Sequence, residues 1–274
     1  MRFHRMQGDR GGEAMSIEEL TLQLPAPKPL SLNDCALFLD LDGTLAPIAA
    51  RPQDVHPDRR RTDLLQRLSA ALDGRLAVVT GRTLADADRI LENRIPAVAA
   101  VHGLARRDAQ GRVHEHPPHP GLHAASEAFH AFAARDSGLL VEEKGLSVAL
   151  HFRLASACAE TARACARRVG LETGLALQEG DMVEELRTPG PTKADSVRAF
   201  MAEPPFRGAH PVFVGDDTTD EDGFAAAHEL GGAGILVGAP RPTGARYRLA
   251  GVDQALAWLE AALADPAKLS RGAK

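Results

Sequence analysis

Short apolar runs that end abruptly in polar or charged residues alternate along most of this chain with stretches where apolar residues recur every three or four positions. Residues 36–39, 76–80, 97–101, 212–214 and 234–237 read as strands buried on both faces. The intervening stretches 59–72, 83–92, 193–201, 222–229 and 252–264 read as amphipathic helices. This rhythm predicts an α/β fold, a doubly wound Rossmann-like parallel sheet with right-handed crossovers. The texture changes in the middle. A His/Pro loop over 112–120 leads to a helix near 122–134, then to strands at 138–143 and 147–153 joined by Lys144-Gly145-Leu146. A helix at 156–169 and two strands flanking the turn Gln178-Glu179-Gly180-Asp181 complete it. Paired strands with tight turns predict a small antiparallel sheet backed by two helices. Residues 108–188 are therefore expected to be an α/β cap inserted into a core made of 31–107 and 189–266. A lead over 1–30 and a tail over 267–274 flank it.

Composition narrows the setting. The chain has 274 residues, 44% hydrophobic and 25% charged, with a formal net charge of −5. That balance gives no support for nucleic acid or an anionic membrane as partner, and no apolar run is long enough for a spanning helix. Residues 1–15 are polar and lack the apolar core of a signal peptide, so a disordered extension is expected, with Met15 an alternative start. Cys35, Cys158 and Cys165 have no metal-ligand spacing and read as small buried residues in a reducing, cytoplasmic setting.

The chemistry concentrates at strand ends. The run 36–39 closes in Asp40-Leu41-Asp42-Gly43-Thr44, and the run 212–214 closes in Gly215-Asp216-Asp217-Thr218-Thr219-Asp220-Glu221-Asp222. In an open α/β sheet, ligands sit beyond the carboxyl ends of the strands. Carboxylates gathered there repel one another unless a cation holds them, and hard oxygen ligands favour Mg²⁺. Asp40 is placed as a nucleophile toward phosphorus, and Asp42, two residues on, as general acid and base. Gly43 permits a sharp turn that brings backbone N–H groups toward phosphoryl oxygens, with Thr44 beside it. An EF-hand loop is excluded, because its twelfth position is Arg51. Asp216 is assigned as a metal ligand with Asp40 and the carbonyl of Asp42, while Asp217 and Asp220 complete or orient the set. Glu221 and Asp222 are partly accounted for as acids at a helix N-terminus.

Three further residues depend on this context. Thr80 can donate to a phosphoryl oxygen, although alone it reads as a helix cap. Arg82 can steer anions. Lys193 can neutralise a transferring phosphoryl, although a lone lysine is usually just solvated. The histidines His114, His116, His119 and His123 hint at zinc, but Pro117, Pro118 and Pro120 make a fixed tetrahedral site difficult, and a hinge loop is expected instead.

Taken in order, Asp-x-Asp-Gly-Thr, a strand-terminal Thr, a Lys and Gly-Asp-Asp resemble the haloacid dehalogenase (HAD) superfamily across nearly all of 35–260. The resemblance implies Mg²⁺-dependent phosphohydrolysis through an aspartyl-phosphate. The stretch 215–224 looks like the signature of trehalose-6-phosphate phosphatases. Glu142-Glu143-Lys144-Gly145 followed by His151-Phe152-Arg153 is similar to that family's cap motif, with Phe152 where Tyr is usual. Glu185 matches the acidic residue before the catalytic lysine, and Ala194 stands where Gly often follows it. The resemblance implies that Glu142, Lys144, His151, Arg153 and Glu185 serve a disaccharide phosphate, whose hydroxyls such groups can accept from and donate to. Without it, the Glu/Lys group reads as a solvated cross-strand ion pair and His151 as a satisfied sheet histidine. Rival readings are a phosphatase of sucrose phosphate or a glucosylglycerol-type phosphate, and a silent sugar-phosphate sensor, which typically lacks the nucleophile or a metal ligand. Nothing in the chain bears on association with a trehalose-phosphate synthase.

Overall fold

A computed structural model describes residues 24–264. The expected extension over 1–15, and with it the alternative start, lies outside the described residues, as does the tail over 267–274. Residues 24–30 carry no helix or strand. They are nevertheless anchored: Leu30 is buried, and Trp258 donates from Nε1 to the Lys28 carbonyl at 2.9 Å.

Twelve strands and seven α-helices are formed in the described residues. The strands are β1 (Cys35–Leu39), β2 (Leu76–Val79), β3 (Val98–Ala100), β4 (Ala105–Arg107), β5 (Val113–Glu115), β6 (Leu140–Glu143), β7 (Ser147–His151), β8 (Ala176–Gly180), β9 (Val183–Arg187), β10 (His210–Gly215), β11 (Ala233–Val237) and β12 (Tyr247–Leu249). The helices are α1 (Arg59–Ala71), α2 (Leu84–Ile90), α3 (Leu122–Ala133), α4 (Ala159–Thr173), α5 (Lys193–Met201), α6 (Glu221–Glu229) and α7 (Val252–Leu263). An eight-stranded sheet runs β12-β11-β10-β1-β2-β3-β4-β5, parallel from β12 to β3 and antiparallel through β4 and β5. This is the doubly wound core expected from the alternation of runs.

Strand β1 shows why those runs are uniformly apolar. Leu37 and Leu39 enter a cluster with Leu64, Leu65 and Leu68 of α1, while Ala36 and Phe38 enter one with Val197, Phe200 and Phe206 on the other face. Both faces are covered, so no polar alternation survives. Helix caps follow the sequence as well. Asp58, Thr83 and Thr192 accept from the first backbone N–H groups of α1, α2 and α5, and Thr192 and Asp195 make a reciprocal capping box.

A four-stranded antiparallel sheet, β6-β7-β9-β8, forms the second layer and packs on α3 and α4 through its own hydrophobic cluster. Its strands alternate strictly. Val148, Leu150, Leu177 and Leu186 pack toward the helices. Glu142, Ala149, Glu185 and Gln178 are register partners in one row across the sheet, and they share the face toward the core.

The structure corrects the expected boundaries in three places. The sequence reading starts the inserted unit at 108 and treats 112–120 as loop. Instead, 113–115 extend the large sheet as β5, because buried Asp108 accepts from the backbone of Gln110 and Arg112 and from the side chains of Arg112 and His114, closing a tight hairpin. Gln178, Glu179 and Gly180 lie within β8, paired residue by residue with β9, so the turn falls at Asp181-Met182. The helix expected at 156–169 starts at Ala159, after a 3₁₀ segment Arg153–Cys158. Cys35 and Cys165 are buried as expected, while Cys158 is half-buried. Among the described residues no helix is long and apolar enough to cross a membrane.

Candidate active site

The carboxyl ends of β1, β2 and β10 meet in the core, and the cleft they form is roofed by the cap-side row. Strand β1 delivers Asp40 at its terminus, only 5% exposed. The neighbouring strand β10 delivers Asp216 one residue past its end, since Leu39 is registered opposite Val214. Oxygens of Asp40, Asp216 and Asp220 all lie within 4.8 Å of one another. Lys193, the first residue of α5, is buried among them, with Nζ 3.1 Å from Asp40 Oδ1 and 2.7 Å from Asp220 Oδ1. An ammonium is unfavourable at a helix N-terminus, and burial disfavours it further. The two carboxylates outweigh both effects and raise the Lys193 pKa above its ordinary value.

One ammonium does not neutralise three carboxylates. Burial drives the Asp40 pKa well above the usual carboxylate range, Lys193 opposes this, and Asp220 and Asp216 add to it. Burial likewise pushes Asp216 up to about 7, with Asp220 reinforcing it and Lys193 opposing. A hard divalent cation would relieve this crowding, and an all-oxygen donor set suits Mg²⁺.

Gly43 is required twice. Its φ is +77°, and a Cβ there would stand 1.9 Å from Asp216 Oδ2. Thr44, fully buried, donates from Oγ1 to Asp216 Oδ1 at 3.4 Å. Thr80 is buried at the end of β2, where its hydroxyl accepts from Arg82 N at 3.2 Å.

Three candidate residues make contacts that the sequence reading did not include. Arg82, expected to steer anions, makes a two-pronged ion pair with Asp42, Nε to Oδ2 and Nη2 to Oδ1, both 2.7 Å. Asp217 lies outside the carboxylate cluster, and its Oδ1 caps the 3₁₀ turn by accepting from Thr218 N at 2.7 Å. Asp220 turns Oδ2 to the backbone N–H groups of Asp216 and Asp217, at 2.9 and 3.0 Å, thereby shaping the loop as well as facing Lys193.

On the cap side, Lys144 Nζ lies 2.6 Å from Glu185 Oε2 and 4.0 Å from Glu142 Oε2. Glu142 Oε2 meets His151 Nε2 at 2.8 Å, and Arg153 donates to the Asp181 carboxylate and carbonyl. Burial works against the charge of Lys144, but Glu185 and Glu142 hold its pKa up. Burial also works against Glu185, but Lys144 and then His102 hold it well below the usual carboxylate range. With Asp40, Asp42, Thr80, Arg82 and Lys193, all five cap residues line one cleft of about 180 Å³.

Sequence reasoning missed three contributors. His102 lines the cleft and faces both Glu185 and Gln178. Gln178 shares strand parity with the cleft-facing positions of β8, and that alternation is the signal that could have found it. Arg241, from the irregular loop after β11, donates to the carbonyls of Asp216 and Asp217 and pairs with Glu221. No spacing announces it, because it acts on backbone.

A family model described as trehalose-phosphatase matches residues 38–253. The trehalose-6-phosphate phosphatase of Escherichia coli K12 is 39% identical over 227 residues, covering 82% of this chain and 85% of its own. A probable trehalose-phosphate phosphatase of Sinorhizobium fredii is 37% identical over 237 residues, covering 85% and 89%. Among solved structures, the C-terminal domain of the Candida albicans trehalose-6-phosphate phosphatase superposes with a TM-score of 0.79 at 21% identity, over 89% of this chain and 99% of that one. The C-terminal domain of a Candida albicans trehalose synthase regulatory protein shares the fold at a TM-score of 0.63 and 13% identity, over 83% and 94%. A HAD-superfamily phosphatase from Bacteroides thetaiotaomicron shares it at 0.55 and 17%, over 81% and 91%. Fold alone therefore does not separate phosphatase from regulator, but the family model and the sequence relatives do: this chain is a phosphatase of the trehalose-phosphatase family, built on the HAD fold.

Proposed function

We propose that this chain hydrolyses trehalose 6-phosphate to trehalose and phosphate, with Mg²⁺, through an aspartyl-phosphate on Asp40. The observation that carries the reading is the opposition of two different sites across one cleft. A buried carboxylate–lysine centre built for phosphoryl chemistry faces a cap row, Glu142, Lys144, His151 and Glu185, built for hydroxyl groups. At about 30 Å³ per water in the liquid, the cleft of about 180 Å³ holds roughly six waters, more room than a phosphate group alone needs.

The residues that would hold the cation are Asp40 and Asp216, with the Asp42 carbonyl and with Asp220 in support. When bound, Mg²⁺ supplies positive charge against the oxygens of the transferring phosphoryl. A carboxylate oxygen of Asp40 attacks phosphorus as the bond to the sugar oxygen breaks. Asp42 gives that oxygen its proton, then takes one from the water that hydrolyses the aspartyl-phosphate. For this, the two-pronged pair with Arg82 must open, which turns Asp42 toward the phosphoryl and frees the guanidinium to meet anionic oxygen. Thr80 donates its hydroxyl and Lys193 its charge to the phosphoryl oxygens. Closure of the cap, which we place between the hinges near 116–121 and 188–191, excludes bulk water during transfer. Three cysteines in 274 residues are too few for a disulfide framework, which fits a cytoplasmic setting.

The test is phosphate release from trehalose 6-phosphate, sucrose 6-phosphate and glucose 6-phosphate with Mg²⁺, for wild type and Asp40→Asn. Selective release from the trehalose ester, lost in the variant, is expected. Selective release from another sugar ester would retain the chemistry and reject the substrate, and no release from any ester would favour a silent sensor.

A further inference from the structure

At the end of β3 the chain does something that sequence patterns do not anticipate. Val101, His102 and Gly103 all have positive φ, at 45°, 55° and 107°. A β-branched residue is a true outlier there, and left-handed non-glycine residues persist only where their surroundings over-determine them. Here the loop of the catalytic core supplies the determination, as Val101 N donates to the Arg82 carbonyl at 2.8 Å and His102 N to the Thr80 carbonyl at 3.0 Å. The His102 ring then fills the space beside Gly81, where a Cβ would meet it at 2.5 Å. A strained turn thus holds one imidazole rigidly against the loop that carries Thr80 and Arg82.

The other edge of that ring faces the cap. Gln178 Nε2 lies 2.8 Å from His102 Nδ1, and Glu185 Oε2 lies 3.5 Å from Nε2. With the Gln178 amide donating to Nδ1, the neutral ring keeps its proton on Nε2, directed at Glu185. Burial lowers the pKa of His102, Glu185 opposes this, and Lys193 and Lys144 support it. Gln178 and Glu185 are a directly opposed cross-strand pair, so one core residue spans two cap strands. Glu185 consequently divides its labour. Oε2 is taken by Lys144 and His102, while Oε1 is buried in the cleft wall and has no hydrogen-bond partner among the described residues. A buried bare carboxylate oxygen is costly unless an O–H or N–H donor reaches it. The ring also lines both the cleft and a second hollow of about 500 Å³, whose wall Gln178 shares.

We propose that His102 is a positioning residue for sugar recognition, a core-borne ring that locks Glu185 so that its free oxygen is presented to a substrate hydroxyl as the cap closes. The inference rests on the sugar-phosphate reading above and deepens it. Recognition and chemistry are thereby joined through one side chain, because the ring that orients the sugar acceptor is anchored to the loop that carries Thr80 and Arg82.

The experiment compares wild type with His102→Asn, which keeps a residue tolerant of the left-handed turn, and Gln178→Leu, which removes the partner of Nδ1. Steady-state constants are measured on trehalose 6-phosphate and on p-nitrophenyl phosphate, an ester with no sugar. We expect KM for the sugar ester to rise roughly ten-fold or more in both variants, and kcat/KM to fall far more on the sugar ester than on the aryl ester. His102→Asn combined with Glu185→Gln should cost little more than Glu185→Gln alone, since both break one unit. Equal losses on the two esters, additive losses in the double variant, or no change in KM would overturn the proposal. Should His102→Asn fail to fold, Gln178→Leu carries the same decision. A wild type inactive on trehalose 6-phosphate would reject the substrate assignment, and the comparison is then read on whichever sugar ester it does hydrolyse.

Discussion

Replacing Asp216 by Asn removes one negative charge from the carboxylates around Asp40 while keeping the side chain's size and the oxygen that Thr44 reaches. Burial, with help from Asp220 and against Lys193, pushes the Asp216 carboxyl from its ordinary 3.8 up to about 7. A carboxyl raised in this way takes up a proton on folding. The metal-free native state is therefore favoured at acid pH and loses stability as pH climbs from about 4 toward 7. The gap, 7 − 3.8 = 3.2, is worth about 4 kcal/mol at about 1.36 kcal/mol per pKa unit. That is a large share of the roughly 5–15 kcal/mol that holds a typical domain together. Urea unfolding followed by circular dichroism, in EDTA and in excess Mg²⁺, at about pH 5 and about pH 8, measures it. Of that gap, roughly two units between about pH 5 and about pH 7 fall inside the assay, so we expect the EDTA-treated wild type to lose about 3 kcal/mol more than Asp216→Asn on going to the higher pH, and Mg²⁺ to rescue the wild type far more than the variant. A metal-free wild type equally stable at both pH values, or a variant that gains as much from Mg²⁺, would refute the reasoning.

Two further outcomes are expected. Gly43→Ala forces a Cβ to within 1.9 Å of Asp216 Oδ2 at a φ of +77°, so the acidic loop must shift. Phosphatase activity should fall at least about 100-fold, the scale on which misplacing reacting groups by an ångström acts, with the far-ultraviolet spectrum preserved; an active variant would show that the Asp216 position is dispensable. Asp108→Asn can keep the oxygen that accepts from Gln110 N and Arg112 N, but it replaces the one that faces Arg112 Nε and His114 Nε2 with a donor and removes the charge, and should cost about 1–3 kcal/mol at neutral pH. Although burial opposes its charge, the donors of Arg112, His114 and Gln110 hold the Asp108 pKa well below the usual carboxylate range. Its contribution is therefore complete above about pH 4 and disappears at more acid pH, and a variant whose stability deficit persists unchanged in acid would contradict this.

The core and its strand-end chemistry were legible because parallel strands buried on both faces are uninterrupted apolar runs, and the site lies where those runs stop. Asp40, Thr80 and Asp216 are found by that one rule, whereas Lys193 opens α5 and was placed only by its context. Strands β4, β5 and β12 were not legible: each has three residues, and Arg106, Arg107, His114 and Arg248 give them no apolar signature. Gln178-Glu179-Gly180 has the composition of a turn, and pairing with β9 overrode it. The Asp42–Arg82 pair could not be anticipated, since each residue ends a different strand and only the β1–β2 register brings them together. Arg241 and His102 act through backbone carbonyls and a strained turn, neither of which leaves a spacing in the chain.

The strand order has a consequence for how this enzyme comes into being. Strand β1 lies between β2, which follows it closely, and β10, which is among the last strands to be made; Thr44 and Asp216, 172 positions apart, meet across that seam. While the chain is still on the ribosome, β1 carries Asp40 with one backbone edge unpaired, the kind of edge that invites association with other strands. The β6–β9 sheet, closed by short-range turns, can form far earlier than the seam, whose pairing is long-range and therefore slow. A nascent or truncated chain ending before residue 216 thus owns the cap row and Asp40 but neither Asp216 nor Asp220, and the carboxylate cluster is completed only within the final quarter of synthesis.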